Sequence, residues 1–95
     1  MIRIVTMHFR LEECAAFGQL FNKSKPLIQA FSGCLGVELL RDISDPCRFF
    51  TYSNWENEEA LNTYRNSELF KTTWASAKAL FDEKPMTWSM ECTDL

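Results

Sequence analysis

Histidine occurs once in this sequence, at His8, and glycine and proline occur three times each. No Gly-x-Gly-x-x-Gly turn, P-loop, serine elbow or His-Glu-x-x-His pair can be found, so nucleotide, flavin and zinc cofactors have no motif to hold them. No cofactor is expected. The four cysteines, Cys14, Cys34, Cys47 and Cys92, stand at irregular intervals without a Cys-x-x-Cys pair, which excludes a zinc ribbon. They read as reduced thiols acting as small hydrophobes in a cytoplasmic protein. No apolar run approaches the ~20 residues that cross a bilayer, and Met1 to Thr6 is too short and strand-like for a secretion signal. No membrane partner is expected. The net charge is −3, and the basic residues are scattered: Lys23 and Lys25 flank Ser24, Arg41 and Arg48 stand alone, and Lys71 and Lys78 share a helix face. Nucleic-acid binding needs a basic stripe, and none is visible.

What the sequence does have is apolar and aromatic bulk. Of its 95 residues 46% are hydrophobic and 14% aromatic, with eight Phe and three Trp. A chain of this length makes one domain, 1–95, and buries only about 60–65% of the surface its unfolded form exposes. A dense monomeric core is one destination for the surplus. A subunit interface and a ligand pocket are the others.

Periodicity orders the elements. Ile2 to Phe9 alternates, with Ile2, Ile4 and Thr6 on one face and Val5, Met7 and Phe9 on the other, as in a central strand covered on both sides. From Glu12 to Phe31 the apolar residues Phe17, Leu20/Phe21, Leu27/Ile28 and Phe31 recur at helical steps. Pro26 is expected to kink or interrupt that helix near Lys23, and Gly33 to end it in the left-handed region. Val37–Asp42 and Arg48–Ser53 read as strands joined by the hairpin residues Ile43-Ser44-Asp45-Pro46. Asn54–Tyr64 reads as a short helix with acids in its first turn, and Leu69–Phe81 as a second. Met86, Trp88, Met90 and Cys92 mark a last strand with one apolar face. The order β-α-β-β-α-β predicts an α+β, ferredoxin-like sandwich with a four-stranded antiparallel sheet.

Two stretches carry a resemblance. Ser32-Gly33-Cys34-Leu35-Gly36-Val37-Glu38-Leu39-Leu40-Arg41-Asp42 resembles the Gly-Cys turn and following strand of antibiotic biosynthesis monooxygenase domains. Phe49-Phe50-Thr51-Tyr52-Ser53-Asn54-Trp55-Glu56-Asn57-Glu58-Glu59-Ala60-Leu61 is similar to that family's Trp-to-Leu block, and Asn66-Ser67-Glu68-Leu69-Phe70 falls where its Ser-x-x-Phe is expected. The resemblance implies a dimeric α/β barrel: two sheets packed face to face, each protomer with a pocket between sheet and helices. It includes cofactor-free quinol and polyketide monooxygenases, haem-degrading enzymes and an isomerase, so activity does not follow from fold. The haem ligand of the degrading branch falls on Trp74, four residues after Phe70, and Trp cannot ligate iron. The substrate-contacting Asn and Tyr of a polyketide branch fall on Thr51 and Leu61. The His of many quinol-type relatives falls on Tyr64.

The candidate site residues are therefore weighed singly. Trp55 is a core bridge between strand and helix, or an aromatic wall that stacks on a flat ligand, and the two are compatible. Phe50, Tyr52, Phe70 and Trp74 are candidate substrate-binding residues beside it. Tyr64 either packs on the second helix with its hydroxyl in water or donates that hydroxyl to a ligand. His8 is the only side chain whose ordinary pKa suits proton transfer at neutral pH; the alternative is a structural or interface residue. His8 and Tyr64 are the two candidate catalytic residues. The expected activity is cofactor-independent oxygenation of a small, flat, electron-rich molecule by a homodimer. A non-catalytic binding or sensing domain and an isomerase are the alternatives.

Overall fold

In the computed structural model, which describes residues 1–95, strand β1 (Ile2–His8) leads through a 3₁₀ turn at Leu11–Glu13 into helix α1 (Cys14–Gln29). Strands β2 (Cys34–Arg41) and β3 (Arg48–Trp55) follow, then helices α2 (Glu58–Arg65) and α3 (Glu68–Lys78), and finally strand β4 (Met86–Met90). The sheet order is β2-β3-β1-β4 with every pairing antiparallel. This is the α+β, ferredoxin-like arrangement expected from the sequence, with β1 and β3 central. No helix is long and apolar enough to cross a membrane.

Register decides which side chains meet. Val5 lies opposite Thr51 on β3 and Thr87 on β4, while Ile4 lies opposite Tyr52 and Trp88. Side chains alternate across a strand, so one face collects Val5, Met7, Val37, Phe49, Thr51 and Ser53. The helices cover that face. The other collects Ile2, Ile4, Leu40, Phe50, Tyr52, Trp88 and Met90, and no element of the chain covers it. The apolar face of β4 belongs to this open side.

Helix α1 turns Phe17, Phe21, Ser24 and Ile28 inward as a buried stripe, while Leu27 remains exposed. The helix runs through Pro26 without the interruption that the sequence allows. Burial on both sides of the proline, at Ser24 and Ile28, holds the last turn in place, and the Pro26 carbonyl still accepts from Ala30 N at 3.1 Å. Gly33 ends the connection with φ +85, where a Cβ would collide with that of Ala60, so both backbone and space favour glycine there. Trp55 also departs from expectation, because it ends β3 instead of opening a helix. Its backbone N–H donates to the Met1 carbonyl at 2.8 Å, and the Met1 ammonium donates to the Trp55 carbonyl at 2.9 Å. Helix α2 starts later, where the Asn57 side chain accepts from Ala60 N and Glu58 and Glu59 fill the first turn.

Between sheet and helices two aromatic groups form the core. Phe9 stacks on Phe17 with centroids 4.3 Å apart and meets Phe49 and Phe81 at tilted or edge contacts. Trp55 stacks on Tyr64 at 5.0 Å, and Tyr64 meets Phe31 and Phe70 edge-on.

Candidate functional site

Packing is incomplete between the sheet and the helices. A cavity of about 290 Å³ opens there, walled mainly by hydrophobic side chains. Strand β3 contributes Thr51, Ser53 and Trp55, and β1 contributes Arg3, Val5 and Met7; helices α2 and α3 supply Tyr64, Arg65, Phe70, Thr73 and Trp74. A space of this size, apolar with a few polar groups, is the ordinary form of a small-molecule site.

Trp55 is 1% exposed, and its indole N–H donates to Ser53 Oγ at 3.0 Å. Ser53 in turn donates to the Arg3 carbonyl at 3.3 Å. The indole is thus fixed by a polar chain at one edge and by the Tyr64 ring on its face, which satisfies its donor without water. Tyr64 is 9% exposed. Burial pushes its phenol up to about 12, the nearby Cys34 thiol adds to the effect, and no hydrogen bond contributes. At neutral pH the hydroxyl is a neutral donor with its proton available to a ligand. Phe70 and Trp74, one turn apart on α3, lie nearly parallel at 5.8 Å and extend the flat wall.

Four of the seven residues singled out from the sequence, Trp55, Tyr64, Phe70 and Trp74, therefore come together around one cavity. The other three do not. Phe50 and Tyr52 alternate with Thr51 and project from the opposite face of the sheet, where Tyr52 is 36% exposed. Their aromatic character is legible in the sequence, but the face they take is fixed by which side the helices choose. His8 lies on that face as well, at the end of β1. Its Nδ1 is 2.7 Å from Asp82 Oδ1 and 3.2 Å from Glu83 Oε2, and its Nε2 is 3.0 Å from Asp45 Oδ2. The hydrogen bond to Asp82 holds the His8 pKa above its ordinary value; burial opposes it, and the charges of Asp82, Glu83 and Asp45 add to the rise. His8 and Tyr64 therefore lie on opposite sides of the sheet.

His8, Asp82 and Glu83 bring three metal-type donor atoms within 4.8 Å of one another, but these groups already pair with each other, and Arg48 binds Glu83 at 3.1 Å. The cluster is an ion-pair knot that ties the end of β1 to the loop after α3. Its pH dependence has a definite sign. A raised folded pKa gives stability that is complete below the ordinary value of 6.5 and is lost as pH rises through the folded value. Melting temperature should fall over that interval, and His8→Gln should flatten the fall; parallel profiles for the two proteins would mean that the knot contributes nothing.

Among the cavity residues that the sequence does not single out are its two charged ones, Arg3 and Arg65. Arg3 shares the inward face of β1 with Val5 and Met7, and a charge on an otherwise apolar inward face was the available signal. Thr51 and Leu61, which stand where one branch of enzymes carries polar substrate contacts, do line the cavity, one as a hydroxyl and the other as plain apolar wall.

The family model described as antibiotic biosynthesis monooxygenase matches residues 1–76. Among solved structures, one described as an antibiotic biosynthesis monooxygenase superposes with a TM-score of 0.89 at 18% identity, covering 99% of this chain and 100% of its own. A protein from Mycobacterium tuberculosis gives a TM-score of 0.89 at 16% identity, covering 99% and 95%. A conserved protein from Methanosarcina mazei gives 0.85 at 18% identity, covering 90% and 86%. These likenesses establish a common fold. No curated protein matches the chain significantly.

Proposed function

The chain belongs to the antibiotic biosynthesis monooxygenase family, and from that premise we propose that it is a cofactor-independent oxygenase acting on a small, flat, electron-rich phenol, quinol or polyketide-like ring. The observation that carries this reading is the aromatic cavity, in which Trp55, Phe70 and Trp74 offer flat surfaces and Tyr64 a neutral hydroxyl. In such a reaction the deprotonated ring gives one electron to dioxygen. The radical pair combines to a ring peroxide, and loss of water leaves a carbonyl. For anthrone, one dioxygen is consumed, the methylene becomes a carbonyl, and one water leaves.

What the protein contributes follows from the lining. The stacked aromatics orient the ring and exclude water from the peroxide. Tyr64, held neutral, donates to the oxygen on which charge develops. Neither a carboxylate nor a histidine lines the cavity, so the substrate itself must be acidic enough to enter ionised or to lose its proton to water. Oxygen-electrode traces with a panel of hydroquinones and anthrones test the proposal. Uptake above the uncatalysed rate is expected, with one atom of each dioxygen kept in the product and the other released as water: anthraquinone from an anthrone, a hydroxyquinone from a hydroquinone. Ligand binding without uptake would leave a binding domain and remove the enzyme.

The same reading includes a homodimer joined through the open sheet face. Trp88, Met90, Met86 and Leu40 are 38%, 43%, 56% and 50% exposed on that face. A contiguous apolar surface of this kind is rarely left to water, and a second copy of the sheet offers a surface of the same shape and polarity. Trp88→Asp should convert a dimer to a monomer in sedimentation at micromolar concentration. A wild-type chain that sediments as a monomer would defeat the proposal.

A further inference from the structure

Two positive charges share the cavity with no negative one. Arg3 is half-buried, and its Nη1 donates to the neutral Ser89 Oγ at 2.9 Å. Arg65, in the last turn of α2, lines the same space from its solvent side. Neither belongs to any of the protein's ion pairs, whereas Arg10, Lys25 and Arg48 each meet a carboxylate. No Asp or Glu lines the cavity. Burial lowers the Arg3 pKa and the charge of Arg65 lowers it further, as expected of guanidinium groups set near each other without an anion between them.

Like charges brought together beside an apolar wall are unfavourable in the empty protein. An oxyanion placed between them reverses the sign of the interaction, and the planar guanidinium is suited to grip a carboxylate-type group through paired N–H donors. Elsewhere the lining is mainly apolar, with the flat faces of Trp55, Tyr64, Phe70 and Trp74 set among aliphatic side chains. We propose that the cavity takes a planar aromatic acid, its ring directed inward against Trp55 and Tyr64 and its oxyanion held at the mouth by Arg3 and Arg65. This rests on the cavity being the substrate site and narrows the substrate class from electron-rich rings in general to those that bear an anionic group. It also fixes the orientation of the ring. It accords with a lining that contains no base, because an anionic ligand needs none in order to be recognised.

Titration of the intact protein with 2-naphthoate and its neutral isostere 2-naphthamide, followed by quenching of tryptophan fluorescence, tests the proposal. The acid should bind at least about tenfold more tightly at low salt, as a charge-assisted contact predicts, and the preference should shrink as salt is raised. Arg65→Gln, at an exposed position where folding is not at risk, should remove most of the preference by weakening naphthoate far more than naphthamide. Its melting temperature should not fall, since a like-charge repulsion is relieved. Arg3→Gln should act in the same direction. Equal binding of acid and amide by the wild type would overturn the anion inference and leave the aromatic cavity standing as a site. Binding of neither would remove the cavity as the site, and the anion inference with it.

Discussion

Replacing Trp55 with alanine should lower the unfolding free energy by about 3–5 kcal/mol, the usual cost of deleting a large buried aromatic. The side chain is 1% exposed, stacks on Tyr64 and donates to Ser53 Oγ. Its loss enlarges an existing cavity, leaves Ser53 without its donor and frees one face of the tyrosine. A cavity beside an existing one has little to collapse onto it, which places the cost toward the upper part of the range. Urea or guanidinium denaturation measures it directly. A loss below about 1 kcal/mol would show that the indole is a replaceable lining and not a bridge between β3 and α2. The consequence for function is that Trp55→Ala cannot report on catalysis by itself, since lost activity and lost fold would coincide.

Tyr64 should make the protein sensitive to alkali. Its folded pKa stands at about 12 against an ordinary 10.0, because ionisation would place a charge in a buried, largely apolar setting. The unfolded chain therefore ionises this phenol first. Stability is complete below about pH 10 and falls between 10 and 12, by about 2–3 kcal/mol if the whole difference is expressed. Tyr64→Phe removes this contribution and keeps almost all of the volume, so its stability profile above pH 10 should be flatter than that of the wild type. Superimposable alkaline profiles would place the phenol in contact with water, contrary to its burial.

The legibility of the molecule in its sequence varied with the physics involved. Strands β1 and β3 announced themselves by bulk on both faces, and the sheet order placed both at its centre. Gly33 was readable because the connection after α1 requires a positive φ. The course of α1 through Pro26 was not readable, because the intrinsic cost of proline is local while the burial of Ser24 and Ile28 that outweighs it depends on tertiary packing. The acids after Trp55 favour a helix there, but its backbone pairs with Met1, a partner 54 residues away. For the site, helical spacing on α3 puts Phe70 and Trp74 one turn apart on one face, and both line the cavity. Period-2 alternation separated Phe50 and Tyr52 from Thr51 without saying which set faced the helices. His8 attracted notice as the sole histidine, and only the three-dimensional arrangement showed Asp45, Asp82 and Glu83 gathered about it. Arg3 and Arg65 escaped because they lie 62 positions apart, in elements whose approach depends on the whole fold.

We propose that the ring is held and oxidised in the cavity walled by Trp55, Tyr64, Phe70 and Trp74. The most direct measurement is kcat/KM for oxygen uptake, on whichever hydroquinone or anthrone supports it, in wild type and Tyr64→Phe, with denaturation curves run in parallel. The substitution removes one hydroxyl, so stability at neutral pH should change by about 1 kcal/mol or less. A hydrogen bond to the developing oxyanion worth ~1.4 kcal/mol predicts a fall in kcat/KM of roughly tenfold. A Tyr64→Phe protein equal to wild type in both stability and kcat/KM would contradict the account and place the reaction elsewhere on the molecule.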